Sequence, residues 1–223
     1  MVRVGVIDSG GPEDELDGAL AFQLEGMAVT ARADRLGHGT VVASTIRRAC
    51  PGAVITHAQV FDDRPVTSAL RVAAALRWFA SMQEASRVDI VCMSLGLRED
   101  RRPLREAVEL AARAGILLVA SHPARGPSCY PAAYPDVLAG TGDARCSWDQ
   151  LSHLGDRLFG AWSNSPELGG CGMAGASLGA ARLAGHVAEI FDAEGRGSAI
   201  NDVMARLKQR ALFFGPERRR GSE

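Results

Sequence analysis

The chain has 223 residues, of which 47% are hydrophobic and 23% are charged, and its formal net charge is −1. This apolar content excludes an intrinsically disordered chain, and the near-zero charge argues against a nucleic-acid-binding protein, which normally carries a basic face. Its uncharged apolar stretches fall far short of the roughly 18 residues of a membrane-spanning helix. We therefore expect a globular protein with no nucleic-acid partner and no membrane partner. The sequence leaves the oligomeric state open.

The N-terminus leads directly into an apolar segment at residues 2–7 and lacks the features of a signal peptide. Five cysteines without a CxxC pair are spread along the chain: Cys50, Cys92, Cys129, Cys146 and Cys171. Unpaired cysteines in a chain without an export signal predict reduced thiols and a cytoplasmic location. The histidines show no metal-binding spacing, so we expect neither a catalytic metal nor another cofactor.

Short apolar segments alternate with helical patterns along the chain. The sequence predicts strands at residues 2–7, 54–61, 89–97, 116–121 and 137–142. It predicts helices at residues 38–49, 67–86, 103–114, 177–192 and 199–212. Strands that are apolar on both faces and separated by helices are typical of a parallel sheet covered on both sides. We therefore predict one α/β domain over residues 1–212, a three-layer α/β/α sandwich with a mostly parallel central sheet, and a disordered tail at 213–223.

Three residues stand where a predicted strand ends or a predicted helix begins. Asp8 follows the first strand in VGVIDSG, so its carboxylate should lie at the carboxyl edge of the sheet. His38 lies between two glycines at a helix start, where the helix N-terminus disfavours the imidazolium ion and keeps a neutral base available. Ser177 heads a helix after glycine-rich chain, and backbone N–H groups there can stabilise an oxyanion. Taken alone, Asp8 is typical of a turn residue and Ser177 of a helix N-cap. The presence of Asp8, His38 and Ser177 in one chain instead indicates nucleophilic catalysis.

The order Asp8, His38, Ser177 and the segments VGVIDSG, GHGT and GASLGAARLAG resemble the three signatures of subtilisin-like serine proteases. The segments CMSLG and YPAAYP resemble two further segments of that family. The resemblance implies a subtilisin-like fold and peptide or protein substrates. It also implies that Ser177 is the nucleophile, that His38 transfers its proton, and that Asp8 orients His38.

The chain departs from the family pattern after the strand predicted at 116–121. Subtilisin-like proteases continue Ala-Gly-Asn there, and the Asn amide donates the second hydrogen bond to the oxyanion, whereas this chain reads SHPA. In subtilisin itself, losing that donor lowers kcat about 10²–10³-fold. The Ser177 backbone N–H would remain as one oxyanion donor. His122 could supply the second oxyanion donor. The alternative is that the imidazole of His122 only faces solvent in a loop.

The resemblance also implies a substrate-binding site. Ser94, Leu95 and Gly96 would bind the substrate backbone and form one wall of the P1 pocket, and Ala120 would belong to the opposite wall. Cys129, which directly precedes YPAAYP, would line the pocket. A thiol there predicts a small to medium, uncharged P1 pocket.

These features together predict a serine endopeptidase. Because the first strand begins at residue 2, we expect no inhibitory pro-segment, so that the chain folds unaided, is a mature domain, or works inside the cell. An unrestrained protease inside the cell would be harmful. We therefore expect narrow specificity, such as maturation of a peptide precursor.

Two alternative functions stay open. The missing Asn and the reduced motif around Ser177 are compatible with a peptide-binding pseudo-protease, and the same acyl-enzyme could transfer its acyl group to an amine, giving ligation or cyclisation.

Overall fold

The computed structural model describes residues 1–164, 174–195 and 200–217. Its strands are β1 (Arg3–Asp8), β2 (Leu20–Phe22), β3 (Ala28–Thr30), β4 (Val54–Gln59), β5 (Ile90–Met93), β6 (Leu117–Ser121), β7 (Val137–Gly142), β8 (Leu151–Gly155), β9 (Leu158–Ala161) and β10 (Phe213–Phe214). Its helices are α1 (His38–Ala49), α2 (Ala69–Ser81), α3 (Arg102–Arg113), α4 (Ala176–Glu194) and α5 (Ile200–Arg210).

The strands of the described residues form one sheet in the order β10-β8-β9-β7-β6-β5-β1-β4-β2-β3. The strands from β7 to β4 all pair in parallel with their neighbours. The antiparallel pairs are β8 with β9 and β2 with β3, towards the two ends of the sheet. The predicted mostly parallel sheet is therefore confirmed, and the carboxyl ends of its central strands meet at one edge.

Apolar side chains cover both faces of this sheet. Val6, Ile46 and Leu183 belong to the core on the face that carries α1 and α4. Phe79 and Leu104 belong to the core on the other face, which carries α2 and α3. Each central strand contributes side chains to both cores, which explains why these strands are apolar throughout. The three-layer α/β/α arrangement is confirmed.

Helix α4 packs directly on the sheet because Gly179 has no side chain. A Cβ atom on Gly179 would overlap the backbone carbonyl of Thr141 in β7. Any larger residue would therefore push the first turn of α4 away from the sheet. This close packing positions Ser177, the second residue of α4, beside the carboxyl edge of the sheet.

The structure corrects several predicted boundaries. The helix predicted at 67–86 ends at Ser81, because Met82 already has an extended backbone. The strand predicted at 89–97 ends at Met93, and residues 94–96 leave the sheet. The strands β2, β3, β8, β9 and β10 were not predicted. They are two to five residues long, too short for a clear alternation of apolar and polar residues.

The tail predicted to be disordered from residue 213 begins instead with an ordered strand. β10 pairs in parallel with β8, placing Phe213 opposite Ser152. Gly215, the first residue after β10, donates its N–H to the carbonyl of His153 at 2.9 Å, and its carbonyl accepts a hydrogen bond from Arg145 at 2.9 Å. These long-range hydrogen bonds hold the segment against the sheet. Residues 218–223 of the predicted tail lie outside the described residues.

The four cysteines in the described ranges, Cys50, Cys92, Cys129 and Cys146, are free thiols. Cys171 lies outside the described residues. Among the helices that the structure describes, none is both long enough and apolar enough to cross a membrane.

Candidate active site

Asp8 and His38 are in direct contact at the carboxyl edge of the sheet. Asp8 is the last residue of β1 and is fully buried. Its Oδ1 atom lies 2.7 Å from Nδ1 of His38 and accepts a hydrogen bond from the Ser9 backbone N–H at 2.7 Å. A Cβ atom on Gly39 would overlap the carbonyl oxygen of Gly10, so the start of α1 touches the loop after β1. This contact explains the glycine that follows His38.

The pKa of His38 is raised above the ordinary value for histidine. Burial by itself lowers this pKa, but the hydrogen bond and charge of Asp8, together with the charge of Asp34, more than offset it. The imidazolium ion is thus favoured, whereas the helix N-terminus by itself predicts the opposite. The neutral imidazole is lost as the pH falls through this raised pKa, and it predominates above it.

Ser177 is joined to the end of β5. Its Oγ donates a hydrogen bond to the carbonyl oxygen of Ser94 at 3.1 Å, and Oγ of Ser94 donates to the carbonyl oxygen of Ser177 at 3.2 Å. Among the described residues, no hydrogen bond joins Ser177 to His38. Because β5 and β1 are neighbours in the sheet, Ser177 nevertheless lies at the same edge as Asp8.

The segment after β5 meets the loop that carries Cys129. Ser94 and Leu95 are buried, whereas Gly96 is exposed. A Cβ atom on Gly96 would lie 2.6 Å from Sγ of Cys129, and that thiol donates to the carbonyl of Ser121 at 3.3 Å. The half-buried thiol therefore fills the space between the ends of β5 and β6. Burial raises the pKa of Cys129, so the group is a neutral thiol near pH 7.

Two other predicted residues, Ala120 and His122, lie at and directly after the end of β6. The side chain of Ala120 is fully buried among the core side chains under α2 and α3, because β6 is covered on both faces, and its role as a wall of the P1 pocket stays a prediction. The backbone N–H of His122 donates to the carbonyl of Gly140 at 2.8 Å. The imidazole Nδ1 of His122 lies 2.8 Å from the carbonyl of Pro123, and Nε2 lies 3.4 Å from Oγ of Ser128. The role of His122 as an oxyanion donor stays a prediction.

Asp34, in the loop before α1, was not predicted as part of the site. Its Oδ1 accepts hydrogen bonds from the backbone N–H groups of Leu36 at 3.0 Å and Gly37 at 2.8 Å. Its Oδ2 accepts from the backbone N–H of Thr40 at 2.9 Å and from Oγ1 of Thr40 at 2.8 Å. Burial raises the pKa of Asp34, but these hydrogen bonds outweigh it and lower the pKa below the ordinary value. An acidic residue just before a predicted helix is a capping signal that could have revealed it.

The arrangement brings a buried carboxylate, an imidazole and a helix-terminal hydroxyl to one edge of the sheet. These are the groups that nucleophilic catalysis by a serine requires. In residues 1–164, 174–195 and 200–217, no group of three or more His, Cys, Asp or Glu side chains is arranged to hold a metal ion.

Two solved structures share this fold. The structure of S41 Psychrophilic Protease aligns with a TM-score of 0.70 and 18% identity, over 96% of this chain and 85% of the other. The structure of Sphericase aligns with a TM-score of 0.73 and 20% identity, over 94% of this chain and 83% of the other. At such low identity these similarities establish the fold alone.

Three sequence relatives are named as proteases. Minor extracellular protease Epr of Bacillus subtilis (strain 168) is 33% identical over 151 residues, which are 62% of this chain and 23% of that protein. Subtilisin-like protease het-Q2 of Podospora anserina is 36% identical over 111 residues, which are 46% of this chain and 29% of that protein. Thermostable alkaline protease of Halalkalibacterium halodurans is 28% identical over 234 residues, covering 96% of this chain and 63% of that protein. This chain thus matches only 23% to 63% of the length of these relatives.

The family comparison covers more of the chain than most of these relatives do. The Subtilase family model matches residues 2–141, a range that includes Asp8 and His38 and ends before Ser177. The match spans more than half of the chain and agrees with the fold similarity. The chain therefore belongs to the Subtilase family.

Proposed function

We propose that this chain is a serine endopeptidase that cleaves peptide bonds through an acyl-enzyme on Ser177. Membership of the Subtilase family and the protease names of its relatives support this activity. The single observation that carries the proposal is the 2.7 Å contact between His38 Nδ1 and the buried Asp8 carboxylate. That contact orients the imidazole and stabilises its protonated form, so that Nε2 can accept a proton.

The proposed reaction begins with a change of hydrogen-bond partner. In the free protein the carbonyl of Ser94 holds the Ser177 hydroxyl. A substrate backbone N–H that bound this carbonyl would release the hydroxyl to turn towards His38. His38 then accepts the proton as Oγ attacks the peptide carbonyl, and later donates it to the leaving amine. Water, activated by His38, hydrolyses the acyl-enzyme, while the backbone N–H of Ser177 stabilises the oxyanion.

Covalent labelling tests the proposal. The wild-type protein is incubated with a fluorophosphonate probe, and the modified residue is identified by peptide mass spectrometry. We expect modification of Ser177. The matched control is Ser94→Ala, which removes the neighbouring hydroxyl and should leave labelling intact. A folded wild-type protein that does not react would contradict the proposal and favour a peptide-binding pseudo-protease. That alternative is compatible with the hydrogen bond between the Ser177 hydroxyl and the carbonyl of Ser94.

Cys129 is proposed to limit the size of the P1 side chain, because its thiol fills the space between Gly96 and Ser121. Cys129→Gly should raise kcat/KM for large apolar P1 residues relative to alanine by about tenfold, the usual effect of one or two buried heavy atoms. Cys129→Leu should shift the preference the other way. A peptide library with variable P1 residues measures both. Cys50→Ala, a buried cysteine beyond the end of α1, is the control, and an unchanged P1 profile in both Cys129 variants would refute this assignment.

We further propose a narrow processing role inside the cell, on a specific peptide precursor. This finer assignment is supported by sequence reasoning alone. Mass spectrometry of the products from a peptide library would define the cleavage motif. The same product masses distinguish hydrolysis, which adds one water molecule, from ligation or cyclisation, which does not.

A further inference from the structure

The loop before α1 is closed by a single carboxylate. Asp34 lies four residues before His38 and accepts hydrogen bonds from Leu36 and Gly37 on one side of it and from Thr40 on the other. The Asp34 backbone N–H also donates to the carbonyl of Gly11 at 2.8 Å, which ties the loop to the segment after β1. The hydrogen bonds that the Asp34 carboxylate accepts therefore fix the backbone on both sides of His38.

The carboxylate also occupies the N-terminus of α1. The first N–H groups of a helix have no partner within the helix, and together they carry about half a positive charge. Gly37, the residue that caps α1, has no side chain to satisfy them. The Thr40 N–H of the first turn bonds to Asp34 instead. The negative charge of Asp34 thereby offsets the positive helix end, which would otherwise disfavour a protonated His38.

We propose that Asp34 is a positioning residue for His38: it holds the loop around the imidazole and neutralises the helix end, so that His38 can accept the proton of Ser177. This inference rests on the proposed protease function. It adds a second carboxylate to the one in contact with His38, with a different task. Asp8 orients the ring from β1, whereas Asp34 acts through the backbone and through its charge.

Among the residues that the structure describes, these two carboxylates are the charged groups that shift the pKa of His38. Asp8 faces it from β1 and Asp34 from the loop before α1, and both raise the pKa of His38. Cys92, on the neighbouring strand β5, is a neutral thiol because burial raises its pKa to about 12. Ser177 of α4 is uncharged. Arg35, next to Asp34 in sequence, is exposed and pairs with the exposed Asp63 at 3.0 Å.

The decisive experiment is an NMR titration of the His38 ring in the full chain, with the signal assigned by comparison with His38→Gln. Asp34→Asn keeps an acceptor and removes the charge, so we expect the pKa of His38 to fall. Thr40→Val removes one hydrogen bond and keeps the charge, and it should leave the pKa in place. Asp202→Asn, an exposed acid in α5, is the matched charge control. If Asp34→Asn does not fold, Asp34→Ser provides a second neutral acceptor.

The kinetic readout is the pH dependence of kcat/KM. Asp34→Asn should move the acid limb to lower pH and reduce the plateau by about two- to tenfold, the size of a helix-end charge effect. An unchanged His38 pKa in Asp34→Asn, an equal shift in Thr40→Val, or loss of folding in both neutral variants would overturn the inference. A wild type that binds no fluorophosphonate would instead overturn the proposed function, while the NMR result still decides the role of Asp34.

Discussion

Replacing Ser177 by Ala is expected to lower kcat for peptide hydrolysis by about 10⁶-fold, the loss that removal of the nucleophile causes in subtilisin. The adjacent hydroxyl of Ser94 is not placed to replace it, because Ser94 is buried and its Oγ donates to the carbonyl of Ser177. The substitution removes only one hydrogen bond, to Ser94, so the protein should stay folded. A fluorogenic peptide assay with thermal unfolding as a fold check measures both effects.

The control for this experiment is Ser94→Ala. It removes the hydrogen bond from Oγ of Ser94 to the Ser177 carbonyl but retains the Ser94 carbonyl that accepts from Ser177. We expect a loss of less than about tenfold, since one neutral hydrogen bond contributes about 1 kcal/mol. If Ser177→Ala retained substantial hydrolysis, another residue would be the nucleophile and the proposed reaction would be wrong.

Asp8→Asn should lower kcat by about 10⁴-fold without unfolding the protein. Oδ1 of Asp8 accepts a hydrogen bond from the Ser9 N–H and lies in hydrogen-bond contact with Nδ1 of His38. An Asn amide that faces His38 would donate to Nδ1 and force the ring proton onto Nε2, which could then no longer accept the proton of Ser177. The neutral amide also removes the main charge that raises the pKa of His38, so the remaining activity should persist to lower pH.

Asp63→Asn is the matched control for this change. Asp63 is exposed and contributes to a surface ion pair with Arg35, so its replacement should leave kcat and the pH profile unchanged. Equal rates for Asp8→Asn and wild type would show that His38 does not depend on this carboxylate. A parallel titration of His38 by NMR separates a change of tautomer from a loss of folding.

Much of the central fold could be predicted because its signals are local. The strands β5, β6 and β7 are continuous apolar runs, and α1 and α3 end near Pro-Gly or Gly turns, so a few neighbouring residues suffice to identify them. The hairpin of β8 and β9 was missed. Its two strands are short and pair with each other across a turn, so their stability comes from the partner strand and from β7. The β-strand propensity of four or five residues does not predict such pairing.

The sequence by itself predicted the fold class, and it marked Asp8, His38 and Ser177, in that order, as candidate catalytic residues, because each follows a strand or begins a helix and carries a local glycine pattern. Only the tertiary structure decided what these residues touch. The bonds between Ser177 and Ser94 join positions 83 residues apart, and the thiol of Cys129 meets Gly96 across two loops. Contacts of this kind depend on how strands are ordered and how closely helices pack, and no short stretch of sequence contains that information.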